Sequence, residues 1–185
     1  MTALYSLVTV GTLWYLQRSE MDSGSPVLYP AVFVALLVFS FFNVRPKAIC
    51  FAGDVGSISI GFLLFYYLLN VINERHTYLP LLLLAVYGTD SLLTIVSRIY
   101  QRQNIFRAHR SHVYQLLVSQ RNWPHLGVAA SYAFIQACIN GLVLRALDWP
   151  ATHQFMLAML ILGFLSICYV TTRKRITSPQ KEAIL

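Results

Sequence analysis

The sequence predicts an all-α, polytopic membrane helix bundle with about six transmembrane helices and both termini cytoplasmic. Three observations carry that prediction. Hydrophobic residues make up 57% of the 185 and charged residues only 11%, where a soluble domain carries about 25% charged. Long apolar runs recur along the chain and hardly any charge interrupts them, which is the pattern of lipid-crossing helices. Finally, Lys and Arg fall almost entirely on one alternate set of the connections between those runs, the signature that fixes orientation in a membrane.

The runs, in order, are Ala3 to Leu16, Val27 to Phe42, Ile58 to Ile72, Tyr78 to Val96, Leu126 to Leu147 and Phe155 to Val170. Several reach the roughly 20 residues of a span only if flanking residues join the helix. One set of connections, with the tail, holds eleven of the fourteen Lys and Arg residues, from Arg45 to Lys181. The other set holds Arg18, Arg75 and Arg145. The first set, with Asp54, is therefore placed in the cytoplasm. The connections on the far side are short and rich in turn formers, such as Ser23-Gly24-Ser25-Pro26 and Trp149-Pro150. Residues 1–175 read as a single transmembrane domain and 176–185 as a cytoplasmic tail.

The net charge of +7 reports topology before it reports a ligand, and nucleic acid is not an expected partner. Three cysteines, Cys50, Cys138 and Cys168, lie in or beside apolar runs without metal-ligand spacing and are expected as free thiols. His76 and His153 read as lone surface histidines.

Function is expected in the two basic connections. The first is Phe51-Ala52-Gly53-Asp54-Val55-Gly56-Ser57. Glycines flank the carboxylate and let the backbone turn and a ligand approach. Ser57 reads as the N-cap of the next helix. Helix-start amides attract phosphate oxygens, and one carboxylate beside them suits Mg²⁺, which completes its shell with water and phosphate. The plain alternative is a helix entry with an N-terminal Asp.

The second stretch is Arg107-Ala108-His109-Arg110-Ser111-His112-Val113-Tyr114-Gln115. His109 and His112 would share a face on a helix. Guanidiniums grip phosphate bidentately and imidazole can donate a proton, while zinc is disfavoured for want of further ligands. The alternative here is a basic segment lying against anionic lipid headgroups. Asp90 interrupts the fourth span, where Thr89, Ser91 and Thr94 are at hand as hydrogen-bond partners. A structural contact and a role near the active face weigh equally for it.

These stretches, with Asn43 and Pro46 upstream, resemble the polyprenyl-phosphate N-acetylhexosamine-1-phosphate transferases, the family related to the phospho-N-acetylmuramoyl-pentapeptide transferase of peptidoglycan synthesis. Both motifs occur in the family's order and on one membrane face. The resemblance implies transfer of a sugar 1-phosphate from a UDP-N-acetylhexosamine to polyprenyl (undecaprenyl) phosphate with release of UMP. The donor it implies is UDP-N-acetylglucosamine, the cofactor Mg²⁺ with Mn²⁺ as a substitute, and the location a bacterial cytoplasmic membrane, with a homodimer as one arrangement. It implies Asp54 as metal ligand and catalytic residue, His109 and His112 as catalytic, and Asn43, Phe51, Arg107 and Arg110 as substrate-binding. Asn43 and Phe51 would lie near the uracil, although the spacing from Asn43 to Asp54 is one residue longer than in the muramoyl-pentapeptide branch.

Two family features are missing from the sequence. Neither the aspartate-rich loop nor the Asn…Asp-Gly-x-x-Gly loop stands upstream of the glycine-aspartate stretch. The expectation is a C-terminal portion of such an enzyme, inactive alone. Two rivals remain. One is a non-catalytic membrane scaffold that binds partners or lipid headgroups. The other is a small transporter using Asp90, ranked last because no paired intramembrane charge accompanies it.

Overall fold

The computed structural model describes residues 2–18, 27–45, 48–104 and 111–177. Among these, the chain is helical without a strand: α1 (Thr2–Arg18), α2 (Leu28–Asn43), α3 (Gly53–Arg75), a 3₁₀ segment (Leu79–Leu84), α4 (Ala85–Tyr100), α5 (Val113–Arg121), α6 (His125–Ala146) and α7 (Ala151–Thr177).

Four of the elements are long and apolar enough to cross a membrane: α3, the 3₁₀ segment continuous with α4, α6 and α7. α2 is apolar but has 16 residues, and α1 has 17. Of the about six spans expected, several of them short, four are long and apolar enough among the described residues, and α1 and α2 are the shorter helices beside them. Large apolar side chains cover the outside, including Phe62, Phe134 and Leu160, each about 70% exposed. Such a surface suits lipid, since soluble proteins rarely expose wide apolar patches.

Local sequence explains the breaks. α3 ends at His76, whose φ of 50° is left-handed, and Thr77 Oγ1 accepts the Leu79 amide at 3.3 Å to start the next turn. Pro80 in the first turn of Leu79-Pro80-Leu81-Leu82 needs no amide partner there. α5 stops at Asn122, also left-handed with φ 53°, before Trp123-Pro124 opens α6. Pro150 stands just ahead of α7.

α1 is the hub, packing on α2, α3 and α6. Val10, Leu13, Leu83 and Val143 are essentially inaccessible there, and Tyr29 stacks on Tyr67 with ring centroids 3.9 Å apart. A polar ladder crosses this apolar core. Gln136, fully buried, accepts hydrogen bonds from Tyr5 Oη (2.9 Å) and the Val86 amide (3.0 Å) on Oε1. Its Nε2 donates to Leu82 O (2.9 Å) and Asn140 Oδ1 (2.7 Å). Thr9 Oγ1 donates to Leu83 O at 3.2 Å. The backbone groups that the change from 3₁₀ to α winding leaves outside a regular ladder are thereby satisfied from α1 and α6, as lipid requires.

α5, a separate short helix, packs on α7 and α6 through Val113 and Leu116. All three cysteines are free thiols.

Candidate functional site

α1, α3 and α6 run in the same direction, and their first turns meet at one open cleft of about 530 Å³. Thr2 of α1, Gly53, Asp54 and Ser57 of α3, and His125 of α6 line it, together with Asn43, Arg45 and Phe51. Each helix start contributes about half a positive charge. Three starts with Arg45 outweigh the one Asp54 carboxylate and make the cleft attractive to a polyanion.

The connection between α2 and α3 is folded onto the end of α2. Asn43 Nδ2 donates to Cys50 O at 2.7 Å, the Ile49 amide donates to Phe42 O at 3.1 Å, and Arg45 Nε donates to Phe41 O at 2.8 Å. The Arg45 guanidinium also sits 4.4 Å from the Phe41 ring centroid. These ties set Phe51 at the cleft, 76% exposed, a bare aromatic face next to the anion-attracting end.

The helix begins earlier than expected. Gly53 has φ +61°, open to glycine and costly for other residues, and α3 starts there. Asp54 therefore lies inside the first turn, where its charge favours the helix dipole. Ser57 is not the N-cap: its hydroxyl donates to Gly53 O at 2.7 Å from within the helix. The expectation for Ser57 is corrected on that ground.

Asn43, Phe51 and Asp54, separated by up to eleven positions in sequence, share this cleft. Arg45 and His125 are additional wall residues. Arg45 had entered only the topology count, although it stands two residues after Asn43. His125 follows Trp123-Pro124, which itself marks a helix start and could have flagged its place.

Arg107, His109 and Arg110 lie outside the described residues. His112 is described: α5 begins only at Val113, and His112 stands in extended conformation just ahead of it. His112 Nδ1 is 3.7 Å from Asp90 Oδ1, and its ring stacks on Tyr114 at 5.6 Å. Burial, with Tyr87 and the Asp90 charge adding to it, pushes the Tyr114 hydroxyl up to about 12. Tyr114 stays a neutral donor at the wall of a second, mainly apolar groove. That groove is formed with Tyr5, Ile60, Gly61, Leu64, Leu84 and Tyr87, and it shares Thr2 and Ser57 with the Asp54 cleft.

Asp90 is fully engaged inside the bundle. It is 3% exposed and accepts from the Val113 amide (3.0 Å), the Tyr114 amide (3.4 Å), Tyr132 Oη (3.0 Å) and Thr94 Oγ1 (3.3 Å). A carboxylate with its lone pairs so filled is tolerated inside the bundle.

Among the described residues, no three His, Cys, Asp or Glu side chains gather to hold a metal. One carboxylate lines the cleft. That donor set fits Mg²⁺ held chiefly by water and substrate phosphates, and does not fit a closed protein cage.

The fold and cleft define an all-α membrane protein with an anion-attracting pocket at one end of its bundle. Residues 1–72, the stretch that contains Asn43, Phe51 and Asp54, match the family model described as glycosyl transferase family 4. This agrees with the resemblance drawn from the glycine-aspartate stretch and supports a transferase role of that general kind. The matched segment ends before the histidine stretch. No curated protein and no solved structure matches the chain.

Proposed function

We propose that this chain carries part of the active face of an enzyme that moves N-acetylhexosamine 1-phosphate, here N-acetylglucosamine 1-phosphate, from its UDP conjugate to polyprenyl phosphate. The observation that carries the reading is the cleft itself: Asp54, exposed Phe51 and Asn43 at the meeting point of three helix starts, within the segment that matches the family.

In this reading a diphosphate occupies the positive end of α1, α3 and α6, with Arg45 offsetting its charge and His125 placed to donate a hydrogen bond. Phe51 offers its face to the uracil. The lipid chain lies along the apolar groove beside α3, which runs into the cleft at Thr2 and Ser57 and would bring a phosphate head to Asp54. Magnesium, when bound at Asp54, supplies further charge neutralisation on the diphosphate. A phosphate oxygen of the lipid attacks the phosphorus that bears the sugar. The bond from that phosphorus to the bridging oxygen breaks, and UMP leaves with the electron pair. Such transfer depends on positioning and charge stabilisation. Arg107, His109, Arg110 and His112 are assigned to the diphosphate and donor sugar, as the resemblance implies. The active face is taken as the cytoplasmic one from the distribution of Lys and Arg, and the membrane as a bacterial inner membrane from the family resemblance.

A second reading, a non-catalytic scaffold of the same fold, is favoured by the single carboxylate at the cleft. One assay separates the two. UMP release from UDP-N-acetylglucosamine is measured with polyprenyl phosphate and Mg²⁺, for the chain alone and after co-expression with the N-terminal half of a full-length relative. Activity with the partner half, lost in Asp54→Asn while membrane insertion is unchanged, is the expected result. Full activity in Asp54→Asn refutes the role of Asp54, and no nucleotide binding in any form leaves the scaffold.

A further inference from the structure

α4 carries a buried polar stripe with a spacing of four residues: Asp90, Thr94 and Arg98, which are 3%, 0% and 5% exposed. On a lipid-embedded helix such a stripe is costly unless each group is engaged, and its partners lie on either side of one connection. Arg98 donates to Asn104 O at 2.5 Å, on the entry side. Asp90 takes the amides of Val113 and Tyr114, on the exit side. These are the first two amides of α5, which have no intrahelical acceptor of their own. The same face of α4 thus grips both sides of the connection that leads to His112.

We propose that Asp90 is the positioning residue for His112. This rests on the transferase reading above for its consequence at the nucleotide, and on geometry for the positioning itself. The carboxylate holds the start of α5 by charge-assisted bonds to its free amides, at the end where the helix dipole favours an anion. Tyr132 from α6 and Thr94 from α4 keep the carboxylate oriented. Thr94 also meets Tyr169 Oη of α7 at 2.9 Å, so four helices converge on the point from which α5 departs. His112 immediately precedes that point and lies against the carboxylate and against Tyr114. Tyr114 walls the groove that opens into the Asp54 cleft through Ser57. Asp90 is thereby linked to the cleft through the segment it holds, while touching no reacting atom itself.

A plain structural role predicts lost stability and nothing more, so the test reads three local quantities in the full chain in lipid nanodiscs. In the wild type, the Val113 and Tyr114 amides should exchange with deuterium at least a hundredfold more slowly than free amides, although helix-start amides are usually quick. In Asp90→Ala that protection should fall to near the free rate, while amides in the middle of α6 keep theirs. Carbethoxylation of His112 by diethyl pyrocarbonate should accelerate at least tenfold, with His125 as the unchanged internal control. UDP affinity should fall tenfold or more. His112→Ala should weaken UDP to a similar degree, and the double variant should be no weaker than the worse single one. Asp90→Asn keeps an acceptor oxygen and should retain part of the protection, which keeps the test informative if Asp90→Ala does not fold.

Unprotected Val113 and Tyr114 amides in the wild type overturn the proposal. So does an Asp90→Ala protein in which His112 reactivity and UDP affinity are both unmoved. A wild type that binds no UDP refutes the transferase reading instead, and the positioning of His112 is then decided by its reactivity and by the exchange of the two amides.

Discussion

Gln136→Leu is the substitution whose cost can be worked out most directly. Leucine fills nearly the same volume, so the cavity term is small, and what disappears is four hydrogen bonds: those from Tyr5 Oη and the Val86 amide, and those to Leu82 O and Asn140 Oδ1. The bond to Asn140 lies within α6, and the other three cross between elements. Interhelical polar contacts in membranes average about 0.6 kcal/mol each, which gives about 1.8 kcal/mol for three. Two of the partners are backbone groups at the joint between the 3₁₀ segment and α4. If a backbone N–H or C=O is stranded without a partner, its desolvation adds about 1 kcal/mol or more. The expected loss is therefore about 2–4 kcal/mol. Reversible unfolding in mixed micelles, followed by far-UV circular dichroism across an SDS titration, measures it. A loss below about 0.5 kcal/mol would refute the reasoning, because it would mean that the freed groups find equivalent partners at no cost.

Gly53→Ala should destabilise the chain by about 1–2 kcal/mol through backbone strain alone, since φ is +61° and no atom lies within 4 Å of an added Cβ; thermal melting in nanodiscs reads it, and an unchanged midpoint removes the left-handed start of α3. His125→Ala should lower UDP affinity severalfold with no shift in melting, and equal affinity in titration calorimetry would take His125 out of the cleft's function. For topology, a cysteine at Gln103 should resist a membrane-impermeant maleimide in intact cells while one at Thr152 reacts, and the reverse pattern would invert the assigned active face.

The helices were legible because lipid demands runs of apolar residues with internally satisfied backbones, and the loop chemistry of Asn43, Phe51 and Asp54 was legible because it is local. What escaped depended on contacts between distant residues. Asp90 is satisfied by amides 23 and 24 residues downstream, and no periodicity in α4 announces that. The joint at Leu84–Ala85 is supported by Gln136, fifty residues beyond Val86, so the run from Tyr78 to Val96 read as one uniform span. Ser57 was taken for a cap because serine favours that position, but the backbone freedom of Gly53 lets the helix start five residues earlier, with Ala52 as its N-cap. His112 was expected on a helix, and its place in the sequence does not reveal that α5 begins only at Val113. Arg45 was read for topology and His125 was not singled out, and only the packing of α6 beside α1 brings His125 to the cleft of Asp54.

The 3₁₀ segment also sets the rotational phase of everything after it. Each of its residues turns the chain by about 120° and advances it about 2.0 Å, against about 100° and 1.5 Å in an α-helix. Over the six residues of Leu79–Leu84 the winding gains about 120° and the element lengthens by about 3 Å. Measured from Leu79, the carboxylate of Asp90 and the guanidinium of Arg98 are carried a third of a turn away from where an uninterrupted helix would aim them. In this bundle that difference separates a face turned to α5, α6 and α7 from one turned towards hydrocarbon. The short overwound stretch therefore acts as an angular spacer, and a sequence that relaxed it to regular α-helix would rotate two charged side chains out of the protein without altering either of them.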